Sequence, residues 1–372
     1  IRDIQRCIRE AARFYTEVRA LGVPIEVMDV GGGLGVHYDG GNSAREFSMN
    51  YGVEQYAEVI VQALGRAAEK AGEPQPEIIS ESGRAIAAHH AVLITSVIDA
   101  ERKPQDEPRA PDAGTHATLR ALWRLYEQAA CDNPHAIHAE AAGVVDELLS
   151  LFNHGLVSLA ERARAEVTWY ALCRRLSARL DAYQTADSSL AETLDGRLAD
   201  RLFINLSIFQ SLPDIWGIGQ LFPIMPLARL NEAPTRRATL HDLTCDSDGR
   251  IDRFVGEDGV ASTLAVHAPD GRPYRLGIFL VGAYQEIIGD MHNLFGDTHA
   301  VNVEIHGAGY RIRDTRDGNN TADMLRYVHI PPHALARTWR RRLASSGLDA
   351  ARRSELLGML LHSLKSYTYL ER

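Results

Sequence analysis

A short apolar run that ends in three consecutive glycines constrains this chain most. Ile25, Val27, Met28 and Val30 follow Pro24 and read as a buried strand, and Gly31-Gly32-Gly33-Leu34-Gly35 follows at once. Glycines at a strand end leave backbone N–H groups open, with no Cβ in the way. A phosphate dianion suits such a nest. A dinucleotide fingerprint would run straight into a helix, whereas Val36 to Asn50 intervene here. A P-loop would supply Gly-Lys-Ser/Thr, and no lysine follows. The remaining reading is a phosphate held mainly by backbone amides.

One helix later the chain repeats the arrangement. From Tyr51 to Ala71, Val53, Tyr56, Ile60, Ala63, Leu64 and Ala67 recur at helical spacing, and Gly72 and Pro74 end the segment. Glu77-Ile78-Ile79-Ser80 reads as the next strand and runs into Glu81-Ser82-Gly83-Arg84. In a parallel α/β barrel, neighbouring strands present their C-terminal ends to one site. A carboxylate, an amide nest and an arginine then converge on one ligand. The plain alternative for Glu81 and Arg84 is a surface ion pair worth under about 1 kcal/mol.

Two segments in the second half also draw attention. Leu240-His241-Asp242-Leu243-Thr244-Cys245-Asp246-Ser247-Asp248-Gly249 puts a cysteine among carboxylates, which favours the protonated thiol over a thiolate nucleophile. The aspartates suit a cationic group, and the calcium-loop pattern fails for want of a correctly spaced Glu. Leu280-Val281-Gly282-Ala283-Tyr284-Gln285 reads as a strand ending in an aromatic.

Taken together these residues resemble the biosynthetic arginine decarboxylase family, which uses pyridoxal phosphate on an alanine-racemase-like fold. The segments that carry the resemblance are Asp29 to Gly40, Ser48 to Gly52, Ser80 to His90, Phe209 to Pro226, Thr239 to Asp252, Tyr274 to Asp297 and Tyr367 to Glu371. The resemblance implies that Gly31, Gly32, Gly33, Gly83 and Arg84 hold the cofactor phosphate, with Tyr284 adding its hydroxyl. It implies that Glu81 faces the pyridine nitrogen and that Cys245 supplies the proton after decarboxylation. Asp246 and Asp214 would face the guanidinium of L-arginine, whose planar fork suits paired carboxylates. It also implies at least a homodimer, with the Cys245 loop completing the partner's site. Magnesium is implied by the family alone, and no carboxylate cluster marks a site for it. Related enzymes acting on diaminopimelate or ornithine, and a silent homologue acting by subunit binding, are the alternatives.

The implied layout is α/β plus β. Residues 1–87 form the last strands and helices of a (β/α)8 barrel, and 88–103 a strand leading out. Residues 104–200 form an inserted helical bundle, 201–332 a β-barrel-type domain and 333–372 a helical C-terminal tail. Turns are expected at Asp248-Gly249, Asp258-Gly259 and Asp270-Gly271. His89 and His90, placed on the strand, point to opposite faces and make no metal pair. His292 and His299 read as structural, Trp216 and Phe222 as pocket wall or core, and Arg340 to Arg342 as a solvated face.

Composition agrees. Hydrophobic residues are 45% of 372, enough for two or three packed units, and the net charge of −9 argues against a nucleic-acid partner. Cys7, Cys131, Cys173 and Cys245 have no CxxC spacing, as in a reducing compartment, here the bacterial cytoplasm. No apolar run reaches membrane-spanning length. The lysines are Lys70, Lys103 and Lys365, and none follows a barrel-strand pattern. The expectation is therefore a fragment whose Schiff-base lysine lies elsewhere, inactive by itself.

Overall fold

The computed structural model describes residues 1–40, 47–183, 188–256 and 259–371. Helix α1 (Arg2–Ala20) buries Ile8, Ala12 and Tyr15 on one face. Strand β1 (Val27–Asp29) follows, then helix α2 (Val53–Ala71), which buries Tyr56, Ile60, Leu64 and Ala68 at four-residue spacing. Gly72 closes α2 in the left-handed conformation at φ 69°. Strand β2 (Glu77–Ile79) lies parallel to β1, with Val27 opposite Glu77 and Asp29 opposite Ile79. These are two strand–helix units of α/β-barrel type, and their own small core joins α1, α2 and the glycine loop through Ile8, Tyr51, Tyr56 and Leu64.

The chain leaves this unit through helix α3 (Gly83–Ala87) and a 3-10 turn at Ala88–His90 before strand β3 (Val92–Glu101). The expected strand from residue 88 therefore starts later. Its first residues continue the alanine-rich helix, so His89 and His90 belong to a helical turn, where His90 Nδ1 lies 2.5 Å from the Ala87 carbonyl oxygen.

Four helices follow: α4 (Ala117–Gln128), α5 (Pro134–Asn153), α6 (Leu159–Tyr183) and α7 (Ser188–Leu198). Asn133 caps α5, accepting from the His135 and Ala136 amides, with Pro134 at the first helical position. Their core is separate from the rest and centres on Leu122, Leu172, Leu176 and Leu194, all fully buried.

Strand β4 (Asp200–Ile204) returns the chain to β3. Short helices α8 (Ile208–Ser211) and α9 (Pro213–Ile218) precede strands β5 (Ile224–Pro226), β6 (Arg236–His241), β7 (Arg250–Ile251), β8 (Phe254–Gly256), β9 (Gly259–Ala261), β10 (Leu264–Val266) and β11 (Tyr274–Phe279). Among the described residues, one sheet runs β10-β6-β4-β3-β11-β5, with β7 beside β6. Its pairs are antiparallel except β4 with β6, and β10 comes back against β5, so the sheet is nearly closed into a barrel. Its core takes in Val36, Tyr38 and Ala88, which seats the glycine loop and the α3 turn on the β-domain.

Of the expected turns, Asp248-Gly249 precedes β7 and Asp270-Gly271 joins β10 to β11, with Gly271 at φ 82°. Asp258 of the third lies outside the described residues, and β8 pairs with β9 across it. Strands β12 (Ala300–His306) and β13 (Gly309–Arg316) form a separate exposed hairpin. Helices α10 (Thr321–Tyr327), α11 (Pro332–Ala344) and α12 (Ala350–Ser363) end the chain. The helical tail thus begins at Thr321, earlier than expected. Pro331 and Pro332 open α11, because proline is favoured in a first helical turn.

Candidate functional site

The glycine loop extends the β1–β2 ladder by two bonds. The Val30 amide donates to the Ile79 carbonyl at 2.9 Å, and the Glu81 amide to the Gly31 carbonyl at 2.8 Å. Gly31 and Gly33 adopt φ 69° and 101°, a region costly for residues with a Cβ. A Cβ at Gly32 would press the Glu81 carbonyl oxygen at 3.2 Å. Two tyrosines from the α2 side hold the loop: Tyr56 donates to the Gly32 carbonyl at 3.2 Å and Tyr51 to that of Gly33 at 3.1 Å. The Glu81 side chain is exposed beside this loop.

Arg84 stands at the junction of the two folding units. Its Nη1 donates to the Tyr38 hydroxyl at 3.0 Å, and its Nη2 lies 3.6 Å from Asp214 Oδ2. The guanidinium carbon sits 4.8 Å from the Tyr284 ring centroid. Burial works against this charge, but the Tyr38 hydroxyl, Asp214 and Tyr284 outweigh it and raise the Arg84 pKa above the ordinary arginine value. Tyr284 closes the group from a turn after β11, at φ 71°. A Cβ at Gly83 would meet the Tyr284 hydroxyl at 3.6 Å, an ordinary contact distance, which puts that hydroxyl beside the start of α3.

The structure gives Asp214 surroundings unlike those implied. Its carboxylate is buried and already engaged: Gln285 Nε2 donates to Oδ2 at 2.8 Å, and the Asp214 amide donates back to Gln285 Oε1 at 3.1 Å. It lies behind Arg84, not open to an incoming guanidinium. Tyr38 and Gln285 were not recognised from sequence. Their partners lie 46 and 71 positions away, and no local pattern announces such pairs.

Cys245 and Asp246 form a second cluster. Asn293 Nδ2 donates to Cys245 Sγ at 3.4 Å, and His292 Nε2 lies 3.6 Å from Asp246 Oδ2. His292 in turn packs on Phe209, and Phe209 on Trp216, at centroid distances of 4.5 and 5.5 Å. Buried Asp242 organises the turn, accepting from the Ile208 amide at 2.8 Å and from the Thr244 amide and hydroxyl at 2.8 and 2.7 Å. Burial pushes the Asp242 carboxyl above the ordinary aspartate range, against the pull of those bonds. Cys245 itself is exposed.

The lysines stand apart from both clusters. Lys70 lines the groove between α1 and α2, Lys103 lies 3.6 Å from Glu101, and Lys365 follows α12. Among the described residues, no three His, Cys, Asp or Glu side chains gather as a metal site. No described helix is long and apolar enough to cross a membrane.

Residues 1–88 match the family model of the pyridoxal-dependent decarboxylase pyridoxal-binding domain. Residues 112–195 match the arginine decarboxylase helical bundle domain, and 321–370 the arginine decarboxylase C-terminal helical extension. The chain is 50% identical to the biosynthetic arginine decarboxylase of Alkalilimnicola ehrlichii, over 100% of this chain and 60% of the relative. It is 42% identical to that of Escherichia coli, over 100% of this chain and 57% of the relative. The solved biosynthetic arginine decarboxylase of Campylobacter jejuni superposes with TM-score 0.80 at 32% identity, covering 99% of this chain and 60% of that one. A diaminopimelate decarboxylase from M. jannaschii shares the fold alone, with TM-score 0.50 at 14% identity over 88% of this chain and 49% of that one. The chain therefore spans about 60% of the length of the curated relatives it matches. Matched along its whole length by these relatives and in three parts by their family models, it belongs to the biosynthetic arginine decarboxylase family.

Proposed function

We propose that this chain supplies the phosphate grip, the ring-nitrogen carboxylate and the proton-donor loop of a pyridoxal-phosphate-dependent enzyme. That enzyme converts L-arginine to agmatine and carbon dioxide for polyamine synthesis in the bacterial cytoplasm. The observation that carries this reading is the Arg84 guanidinium held by Tyr38, Asp214 and Tyr284 beside the Gly31–Gly33 loop. The residues fit the cofactor's phosphate: the Gly32 and Gly33 amides stand in a loop with no Cβ in the way, the Gly31 amide donates to Asp29 Oδ1 at 2.8 Å, and a fixed cation stands beside them.

When bound, pyridoxal phosphate supplies an electron sink for the pair left as carbon dioxide departs. Gly32, Gly33 and Gly83 would meet the phosphate with backbone amides, Gly31 would give it room by lacking a side chain while its own amide serves Asp29 Oδ1 at 2.8 Å, and Arg84 would add charge and Tyr284 its hydroxyl. Glu81, exposed at the end of β2, would keep a proton on the ring nitrogen. Asp214 would hold Arg84 in place. Cys245 Sγ would deliver a proton to the carbon that has lost carbon dioxide, and Asp246 would face the substrate guanidinium. The family resemblance supports a site assembled from two copies, each giving its Cys245 loop to the other. For magnesium the described residues offer no gathered donor set, and no step is assigned to it.

The test is a decarboxylation assay on the assembled enzyme, comparing arginine, ornithine and diaminopimelate. Agmatine formation favoured by at least a hundredfold in kcat/KM supports arginine. Equal or better turnover of either competitor overturns it.

A further inference from the structure

A cavity of about 330 Å³ lies where the helical bundle meets the β-domain. Its wall carries three cations, Lys103, Arg197 and Arg201, and three hydroxyls, Tyr170, Thr193 and Thr239, and no carboxylate. The cations come from three places: the segment after β3, the last turn of α7, and β4. The acid nearest them is Glu101, half-exposed and shared between Lys103 at 3.6 Å and Arg201 at 3.2 Å. Other acids close by are engaged elsewhere. Asp200 makes a two-pronged pair with Arg236 at 2.5 and 2.7 Å, and Asp195 lies 3.9 Å from Arg237.

Two features make this cluster more than a solvated basic face. The Lys103 side chain is only 13% exposed, its stem packed down and its ammonium held 3.6 Å from the shared Glu101 carboxylate and 5.8 Å from the Tyr170 ring centroid. Arg197 has no carboxylate partner among the described residues and rests near the Trp169 ring, at 5.9 Å. Three cations stand against Glu101, with the charge of Glu166 also felt at Tyr170, and leave net positive charge around a cavity rimmed by hydroxyls, of which Thr193 donates to the Ser189 carbonyl at 2.8 Å and Thr239 lies 3.1 Å from His241 Nε2. We propose that this cavity is an anion site that takes a phosphate dianion, free or as the phosphate group of a small ester. Guanidinium and ammonium donors with adjacent hydroxyls are the groups that recognise phosphate. The volume exceeds what one phosphate fills and lies in the range of small-molecule pockets. None of its lining residues belongs to the Gly31–Arg84 cluster. A bound anion would bridge α6 and α7 to β4 and β6, and β6 leads directly into Asp242 and the Cys245 turn.

The test is calorimetric titration of inorganic phosphate into the full chain at fixed ionic strength, with parallel titrations of the Arg84→Ala, Arg197→Gln, Lys103→Met and Arg197→Lys variants. The expected result is two classes of binding: one lost in Arg84→Ala, belonging to the glycine loop, and a second that persists in Arg84→Ala and that Arg197→Lys leaves within threefold. Arg197→Gln and Lys103→Met should each weaken it at least tenfold. Arg197→Lys keeps the charge, so its retained binding guards against misreading a folding defect in the glutamine variant. Glycerol phosphate binding tighter than inorganic phosphate would assign the site to an ester, and weaker or equal binding to free phosphate; both support the site. No saturable heat, or binding lost with Arg84→Ala and kept in Arg197→Gln and Lys103→Met, would overturn it.

Discussion

The guanidinium of Arg84 lies over the ring of Tyr284, 4.8 Å from its centroid. This contact joins the last turn of the α/β unit to a loop of the β-domain 200 positions on. Tyr284 holds it from a left-handed backbone, φ 71°, which costs a non-glycine residue of order 1 kcal/mol. The neighbouring Gln285, buried and bonded to Asp214 and to the Ala283 carbonyl, fixes the turn in that conformation.

Arg84→Ala should weaken pyridoxal phosphate binding by about 2 to 3 kcal/mol, as for a lost charge-assisted contact. Arg84→Lys should recover only part, because one ammonium cannot serve Tyr38, Asp214 and a phosphate with the same geometry. A visible-absorbance titration of the cofactor reads both. Unchanged affinity in Arg84→Ala would remove Arg84 from the phosphate grip.

Asp214→Asn separates two roles. If Asp214 holds Arg84, the variant loses cofactor affinity by roughly fivefold to tenfold, in the range of one weakened charged hydrogen bond. Its KM for arginine at saturating cofactor then stays near the parent value. A raised KM with intact cofactor affinity would return Asp214 to the substrate.

Glu81→Gln should leave cofactor affinity within threefold and lower kcat by at least tenfold, because a neutral amide no longer keeps the ring nitrogen protonated. Steady-state kinetics at saturating cofactor measures this. Full turnover would remove the role given to Glu81.

Gly282→Ala should destabilise the fold by about 1 to 3 kcal/mol, as for overpacking. A Cβ there collides with the Ala87 carbonyl oxygen and the His90 ring, on the helical turn that carries Arg84. A thermal midpoint unchanged from the parent would show that the turn can yield.

Glu161 should give the helical bundle an acid-sensitive step. The Ser158 amide at 3.0 Å, the His116 amide at 2.9 Å and the Ser158 hydroxyl at 2.9 Å bond its carboxylate and lower its pKa from 4.5 to about 2. A depressed folded-state value stabilises above the unfolded value and is lost on acidification. The contribution should therefore be full above about pH 4.5 and fade towards pH 2. Helix circular dichroism against pH should follow this, and Glu161→Gln should flatten the dependence while lowering stability at pH 7. An identical acid profile in the variant would contradict it.

The strand, glycine loop, helix, strand and Glu-x-Gly-Arg order was legible because each piece carries its signal within a few residues. Tyr56, Ile60 and Leu64 mark the buried face of α2, and Gly72 its end. The strand expected from residue 88 starts only at Val92, because Ala85, Ala87 and Ala88 continue a helix into what reads as an apolar strand. The partners of Arg84 were illegible for a different reason. Tyr38 and Asp214 look like any loop tyrosine and any helix-start aspartate until the β-domain folds onto the α/β unit. The role of Asp242 was illegible as well, since nothing local distinguishes a turn-organising carboxylate from a ligand.

Tyr38, Arg84, Asp214 and Tyr284 meet at one point although 246 positions separate the first from the last. Such a junction cannot form from neighbours in the chain, and its closure entropy must be met before any contact is gained. The grip on the phosphate should therefore be among the last features to appear during folding and among the first to vanish when the two units part. Cofactor capture then reports that the domains have docked, and the bound cofactor, by mass action, keeps them docked.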